Sequence, residues 1–411
     1  MKKNLVFIHL ESLNQAIFGN RHWFPCLNNI YNRSLRLNNF ISSATSSNMA
    51  LSDLIYGDDN VLEHNYDLSE NMTINSNGST LFDYLQQLGY QTLGVGYPKC
   101  WGMDDVDRVW SDHQPFNWYD DSAQMLAAAD KLIANKEQPF ALYFWNMCSH
   151  LSYVDGIKAR GQHSFERWRL GHQSLDTTVG EVLSLLLTYQ QLENTVIVGF
   201  GDHGDDFWNH GLSSGWCHGV EPYTALVHTP AFIYDARYKG RDINHLVSML
   251  DLKRTVLELL DKPCSNDELP GTFSALSGER RYCFSRNLFI NQPDREKGNP
   301  LIKGYAITSE FFHLLYSQGK YQMFAWQADA GNHFDLLSQL VSDGNEKKYI
   351  DIEKLGAGRA GGPHPHILHF LGNPAVIEDN YRVMHQILEY WITSKQKYVE
   401  TCINSVKKWN V

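Results

Sequence analysis

Short apolar runs alternate along the first two thirds of the chain with stretches whose apolar residues recur every three or four positions. Residues 5–10 are apolar and bounded by polar residues, which predicts a buried strand. Ser79-Thr80 offers an N-cap to a helix through Leu88, with Gly89 as its stop and residues 90–95 as the next strand. Residues 122–134 are helical by composition, and Pro139 introduces a strand over 140–145. Residues 175–192 carry apolar positions at helical spacing, and Asn194-Thr195 leads into a strand over 196–200. Strands alternating with helices predict an α/β domain on a mostly parallel, helix-covered sheet.

The pattern changes after about residue 262. Pro263, Pro270 and Gly271 read as a connection, and the aromatic-rich runs 305–308, 311–316 and 321–326 predict an antiparallel meander. Residues 356–365 are a Gly/Pro loop, and a last helix is expected from 375 to about 397, entered after Pro374. The chain therefore divides into a large α/β domain, 1–262, and a smaller C-terminal α+β subdomain, 263–411. No internal repeat or low-complexity segment interrupts either part.

Composition narrows the class. Of 411 residues 43% are hydrophobic and 20% charged, which excludes wholesale disorder and a collagen-like repeat. Lysine and arginine number 35 against 46 aspartates and glutamates, a formal charge of −11 with no basic block, so no nucleic-acid partner is expected. The 7 cysteines are scattered without a CxxC pair, and reduced thiols in a cytoplasmic protein are expected. The apolar run after Met1-Lys2-Lys3 is broken at Glu11, too short for a signal-peptide core, and no run reaches the roughly 20 residues of a membrane span.

The candidate chemistry lies at strand ends, where open α/β sheets bind ligands. The strand 5–10 ends in Glu11-Ser12, 140–145 in Asn146 and His150, and 196–200 in Asp202-His203-Gly204-Asp205. Glu11, Asp202 and His203 form a carboxylate–imidazole set suited to Zn²⁺ or Mn²⁺, drawn from a chain holding 18 histidines. The hydroxyl cluster Ser42-Ser43-Ala44-Thr45-Ser46-Ser47 precedes a helix over 48–56 that stops at Gly57. A hydroxyl at a helix N-terminus is placed to receive a phosphate or sulfate, and a metal would make it a nucleophile. The plainer reading is a Ser/Thr cap in a loop.

These residues carry a resemblance. Asp202-His203-Gly204-Asp205, Asn209-His210-Gly211, His218-Gly219 and His228-Thr229-Pro230 resemble the "DHGE … ENG/EHG … HG … (H)VP" run of the alkaline-phosphatase superfamily, in its sulfatase and phosphoethanolamine- or phosphoglycerol-transferase branch. Leu10-Glu11-Ser12 is similar to the "LES" of lipoteichoic acid synthases, Ser149-His150 to the transferases' "SH", and His333-Phe334-Asp335-Leu336 to the sulfatase "LYDL" strand. The resemblance implies an alkaline-phosphatase/sulfatase-like fold and one divalent metal, Zn or Mn, with Mg or Ca as alternatives. Its ligands would be Glu11, Thr45, Asp202 and His203. His150 and His218 would bind the substrate anion or protonate the leaving oxygen, and His228 would line the same pocket.

For the nucleophile, Thr45 lies twelve residues before Gly57, the transferase offset, and Ser47 ten before, the sulfatase offset. No cysteine, proline or arginine of the sulfatase signature C-x-P-S-R stands between Thr45 and Gly57. Formylglycine chemistry from a cysteine is thus unavailable, and Thr45 is the expected nucleophile with Ser47 as the alternative. The implied reaction is hydrolysis or transfer of a small-molecule, sugar- or lipid-linked phosphate ester through a covalent threonine intermediate. A sulfuric-ester hydrolase, or an inactive binding module of the same fold, are the alternatives. Phe207, Trp208, Trp216 and Tyr223 would stack on a sugar or simply fill core and rim. His364-Pro365-His366, in a Gly/Pro loop, reads as surface rather than as a metal pair.

Overall fold

In the computed structural model, the described residues are 2–59, 62–63, 73–74, 79–99, 106–111, 113–150, 164–207, 209–210, 218–287, 304–317, 319–342, 348–350 and 364–409. The strands in chain order are β1 Asn4–Leu10, β2 Leu35–Ile41, β3 Leu62–Glu63, β4 Thr73–Ile74, β5 Gln91–Tyr97, β6 Asn117–Trp118, β7 Phe140–Asn146, β8 Thr195–Gly201, β9 Ala231–Tyr234 and β10 Arg241–Ser248. After them come β11 Cys283–Asn287, β12 Gly304–Thr308, β13 His313–Ser317, β14 Lys320–Phe324, β15 Leu340–Ser342 and β16 Lys348–Ile350.

Eight strands form one sheet in the order β10-β2-β9-β8-β1-β7-β5-β6, parallel throughout except for β9. Every residue of β1, β7 and β8 is buried, because helices cover both faces. Phe7, Tyr143 and Val198 pack on one face against the Ser47–Tyr56 and Asp251–Leu259 helices. Val6, Leu142 and Ile197 pack on the other against the Ser122–Ala134 and Ser164–Thr188 helices.

The expected helix over 79–88 is the Leu81–Gln87 helix, capped by Thr80, whose hydroxyl accepts from the Asp83 amide at 3.0 Å. The helix expected over 175–192 begins earlier and ends earlier, at Ser164–Thr188. Its first part escaped the pattern because Gly171 and polar residues interrupt the apolar spacing. That glycine is required by contact: a Cβ there would stand 2.2 Å from the Cys148 carbonyl oxygen.

The C-terminal part holds the antiparallel sheet β11-β12-β13-β14. Tyr305, Ile307, Leu314 and Met323 pack on Ile377, Met384 and Leu388 of the Pro374–Trp409 helix. β11 was not expected, and the last helix runs past its expected end. The Gly/Pro loop lies mostly outside the described residues; its end, Pro365, opens the Pro365–Leu371 helix, where His364 serves as N-cap. Among the described residues no helix is long and apolar enough to cross a membrane.

Candidate active site

The two central strands set the site. Leu10 of β1 pairs with Gly201 of β8, so Glu11 and Asp202 leave the sheet side by side. Side chains alternate along a strand, which puts His9 on the same face as Glu11. His9 lies opposite Trp145 and Phe200, and its ring stacks on the Trp145 indole at 4.1 Å between centroids.

His9, Glu11 and Asp202 are fully buried. Glu11 Oε1 accepts from the Ser12 hydroxyl at 2.7 Å and Oε2 from Trp145 Nε1 at 2.9 Å. Asp202 Oδ1 accepts from the Ser12 amide at 3.0 Å. Its other oxygen, Oδ2, makes no geometrically sound hydrogen bond, although His9 Nε2 lies 3.0 Å and His203 Nε2 3.3 Å away. Burial, reinforced by Asp202's charge, pushes the Glu11 carboxyl well above its usual range. Burial opposes ionisation of Asp202 too, but His203 and His9 outweigh it and hold that carboxyl low. Two buried carboxyl groups, one with an oxygen that makes no hydrogen bond, beside two imidazoles are a donor set that fits a divalent cation.

The Ser47–Tyr56 helix points its N-terminus at this cluster. Ser46 is its extended N-cap with no side-chain cap bond, and Gly57, at φ 69°, closes the helix in the left-handed region. Ser47 Oγ lies 3.0 Å from His203 Nε2, buried. The Thr45 hydroxyl is committed to the backbone: it donates to the Val220 carbonyl at 3.0 Å, and the Thr45 amide donates to the Arg286 carbonyl at 3.2 Å. Of the two expected hydroxyls, Thr45 and Ser47, it is Ser47 whose oxygen the structure places at the His203 ring. At Thr45 the chain is still an extended loop bonded to β11, and only after Ser46 does it turn into the helix.

The other hydroxyls anchor that loop. Ser42 donates to the Asp202 carbonyl, and Ser43 donates to Asp53 Oδ2 at 2.6 Å. Arg286, from β11, grips Asp53 with two bonds of 2.7 and 2.9 Å, both partners buried.

Three histidines stand beside Ser47. The rings of His203 and His218 are 4.2 Å apart, and those of His218 and His150 are 5.1 Å apart. His218 Nδ1 pairs with Asp205 Oδ1 at 3.0 Å, and Asp205 Oδ2 is buried without a hydrogen bond. Burial pulls His203 down to about 4, and burial followed by His218 pulls His150 well below its usual value, so both are neutral near pH 7. Among the described residues, two groups could hold a cation: His9, Glu11 and Asp202, and His203, Asp205 and His218. The sequence reading found no second set.

His228 is engaged elsewhere: its Nε2 meets the Asn38 carbonyl at 2.9 Å and its ring packs on Trp326. His210 pairs with Asp206 and stacks on Tyr223 at 3.4 Å, and Phe207 packs edge-on against Trp168. Trp208 and Trp216 lie outside the described residues. Sequence reasoning missed His9, Asp205, Asp53 and Arg286. Alternation back from Glu11 would have flagged His9, and Asp205 already stood in the Asp-His-Gly-Asp block, whereas Asp53 and Arg286 left no local signal.

Residues 3–262 match the family model described as Sulfatase. Over 230 residues the chain is 23% identical to the N-acetylgalactosamine-6-O-sulfatase of Bacteroides thetaiotaomicron; the match covers 52% of this chain and 44% of that enzyme, less than half its length. Solved structures of the same fold include a 2-O GAG sulfatase, at a TM-score of 0.62 and 14% identity over 94% of this chain and 93% of that one. A protein solved with its substrate D-glucosamine-2-N,6-O-disulfate gives 0.59 and 14% over 98% and 99%. An alkaline phosphatase superfamily protein from Vibrio parahaemolyticus gives 0.56 and 13% over 85% and 82%. At these identities the structural likeness is one of fold.

Proposed function

The chain belongs to the sulfatase family, and from that premise we propose that it hydrolyses a sulfate ester of a sugar at the Ser47 cluster, with Glu11, Asp202 and His203 holding one divalent cation. The observation that carries this reading is Ser47 Oγ at 3.0 Å from His203 Nε2, beside Asp202, at the N-terminus of a ten-residue helix. The positive end of that helix dipole suits the anionic sulfuryl oxygens. Sugar sulfate as the substrate class is supported by the relatives' names, and the phosphate ester expected from the sequence has no such support.

The carboxylate–imidazole donors favour Zn²⁺ or Mn²⁺ over Mg²⁺ or Ca²⁺. A cation bound there lowers the pKa of a neighbouring hydroxyl and offsets charge on the sulfuryl oxygens. Ser47-Asn48-Met49-Ala50-Leu51 lacks the signature's proline and arginine, and in this reading Ser47 reacts through its own hydroxyl oxygen.

Ser47 Oγ, its proton released to solvent, attacks sulfur opposite the sugar oxygen, and the bond from sulfur to that oxygen breaks. His218, oriented by Asp205, gives its proton to the departing oxygen, in the manner of an imidazole held by a carboxylate. Neutral His150 lines the same space and donates hydrogen bonds to the anion. Water then attacks sulfur, giving a proton back to His218, and the bond from sulfur to Ser47 Oγ breaks to release sulfate.

The test is ester preference. With Mn²⁺ supplied, the purified chain should turn over a chromogenic aryl sulfate faster than the matching aryl phosphate. Faster turnover of the phosphate, or none of either, would overturn this reading.

A further inference from the structure

We infer that His9 is itself a ligand of the divalent cation, through Nε2, so that the site holds two imidazoles, His9 and His203, with two carboxylates, Glu11 and Asp202. The inference rests on the cation site proposed above.

His9 and Glu11 share a face of β1, and Asp202 follows the strand paired with it, so three side chains converge with no loop to position them. His9 Nε2 stands 3.0 Å from Asp202 Oδ2 and 3.7 Å from Glu11 Oε2, and one ligand atom from each of the three residues lies within 4.8 Å of the others. On the far side of the same Asp202 oxygen is His203 Nε2, at 3.3 Å.

His9 Nε2 and Asp202 Oδ2 are both buried and both lack a hydrogen-bond partner. Leaving two such atoms unsatisfied face to face costs about 1–3 kcal/mol each, and a cation between them satisfies both.

His9 Nδ1 lies 2.7 Å from the Tyr143 hydroxyl, which can accept the Nδ1 proton and leave the Nε2 lone pair facing the carboxylates. Stacking on Trp145 at 4.1 Å and contact with Phe200 at 5.2 Å fix the ring plane. A ligating imidazole bonded through its second nitrogen is the usual support for such a site. The second imidazole makes the site softer and biases it toward Zn²⁺ and Mn²⁺ against Ca²⁺.

The test uses the full chain stripped of metal with a chelator and titrated calorimetrically with Zn²⁺, Mn²⁺ and Ca²⁺. His9→Gln should weaken Zn²⁺ and Mn²⁺ binding by about 10–100-fold and Ca²⁺ binding by less, and Tyr143→Phe should weaken Zn²⁺ by about tenfold. On wild-type protein carrying one Cu²⁺ that Zn²⁺ displaces, electron spin-echo modulation should count two coordinated imidazoles. That count decides the matter even if His9→Gln fails to fold. A single imidazole, or unchanged Zn²⁺ and Mn²⁺ affinity in His9→Gln, would overturn the role of His9 and leave the cation site standing. No cation bound by the wild type would overturn both.

Discussion

The two groups of ligand-type side chains flanking Ser47 are held in different ways. His9, Glu11 and Asp202 stand on or directly beyond the central strands, wholly buried, with two carboxylates and one ring. His203, Asp205 and His218 follow β8 on its outgoing connection, with two rings to one carboxylate, and the His218 side chain keeps 17% of its surface exposed. Two carboxyl groups buried side by side are suited to holding a cation. A partly exposed imidazole backed by a carboxylate is suited to passing a proton to a leaving group. In the proposed reading the first group, joined by His203, holds the cation, and His218 of the second group passes the proton.

Removing one carboxylate from each group tests that division most severely. Asp202→Ala should lose the bound cation and all turnover together. Asp205→Ala should keep about one ion per chain and lose roughly 10²–10⁴-fold in kcat, the range of a general acid. Elemental analysis beside kinetics reads both, and loss of the ion in Asp205→Ala would abolish the distinction.

The loop that places Ser47 between the groups depends on Arg286 and Asp53. Arg286→Met strands a buried carboxylate and should cost about 3–5 kcal/mol in urea unfolding. Arg286→Met combined with Asp53→Leu should recover much of it, since an apolar pair leaves no charge unpaired. A single variant as stable as the wild type would show that the loop is held by other means.

A smaller effect comes from outside both groups. His172 packs against Phe24 and Trp168 with neither ring nitrogen hydrogen-bonded, and burial drops its pKa to about 3. The unfolded chain binds this proton near pH 6.5 while the folded chain does not, so stability falls as the pH drops from 6.5 towards 3. At pH 5 the loss is about 2 kcal/mol, and His172→Phe should remove it from the difference between urea unfolding at pH 7 and pH 5. An unchanged difference would mean that the buried ring takes up its proton without penalty.

Much of the frame was legible in the sequence. Apolar runs gave β1, β7 and β8, and their polar ends exposed Glu11, Asp202 and His203. Gly57 marked the helix that begins at Ser47. Which hydroxyl faces the cluster was not legible by counting back from Gly57, because it depends on where the extended loop turns into helix. β11 was missed because its polar residues are buried for the loop's sake: Ser285 donates to the Ser42 carbonyl, and Arg286 reaches Asp53, 233 positions away in the chain. Strand patterns read from apolar alternation pass over such residues. Alternation along β1 puts His9 on the face of Glu11, but only the pairing of β1 with β8 brings Asp202 beside it.

In the proposed reaction Ser47, rather than Thr45, supplies the reacting oxygen. Turnover of an aryl sulfate by Ser47→Ala and Thr45→Ala, with cation content measured on the same samples, tests it most directly. Ser47→Ala should lose at least about 1000-fold in rate while keeping its cation at saturating Mn²⁺. Thr45→Ala forfeits one hydrogen bond to the Val220 carbonyl, about 0.5–1.5 kcal/mol, and should stay within about tenfold of wild type. An inactive Thr45→Ala beside an active Ser47→Ala would contradict the account.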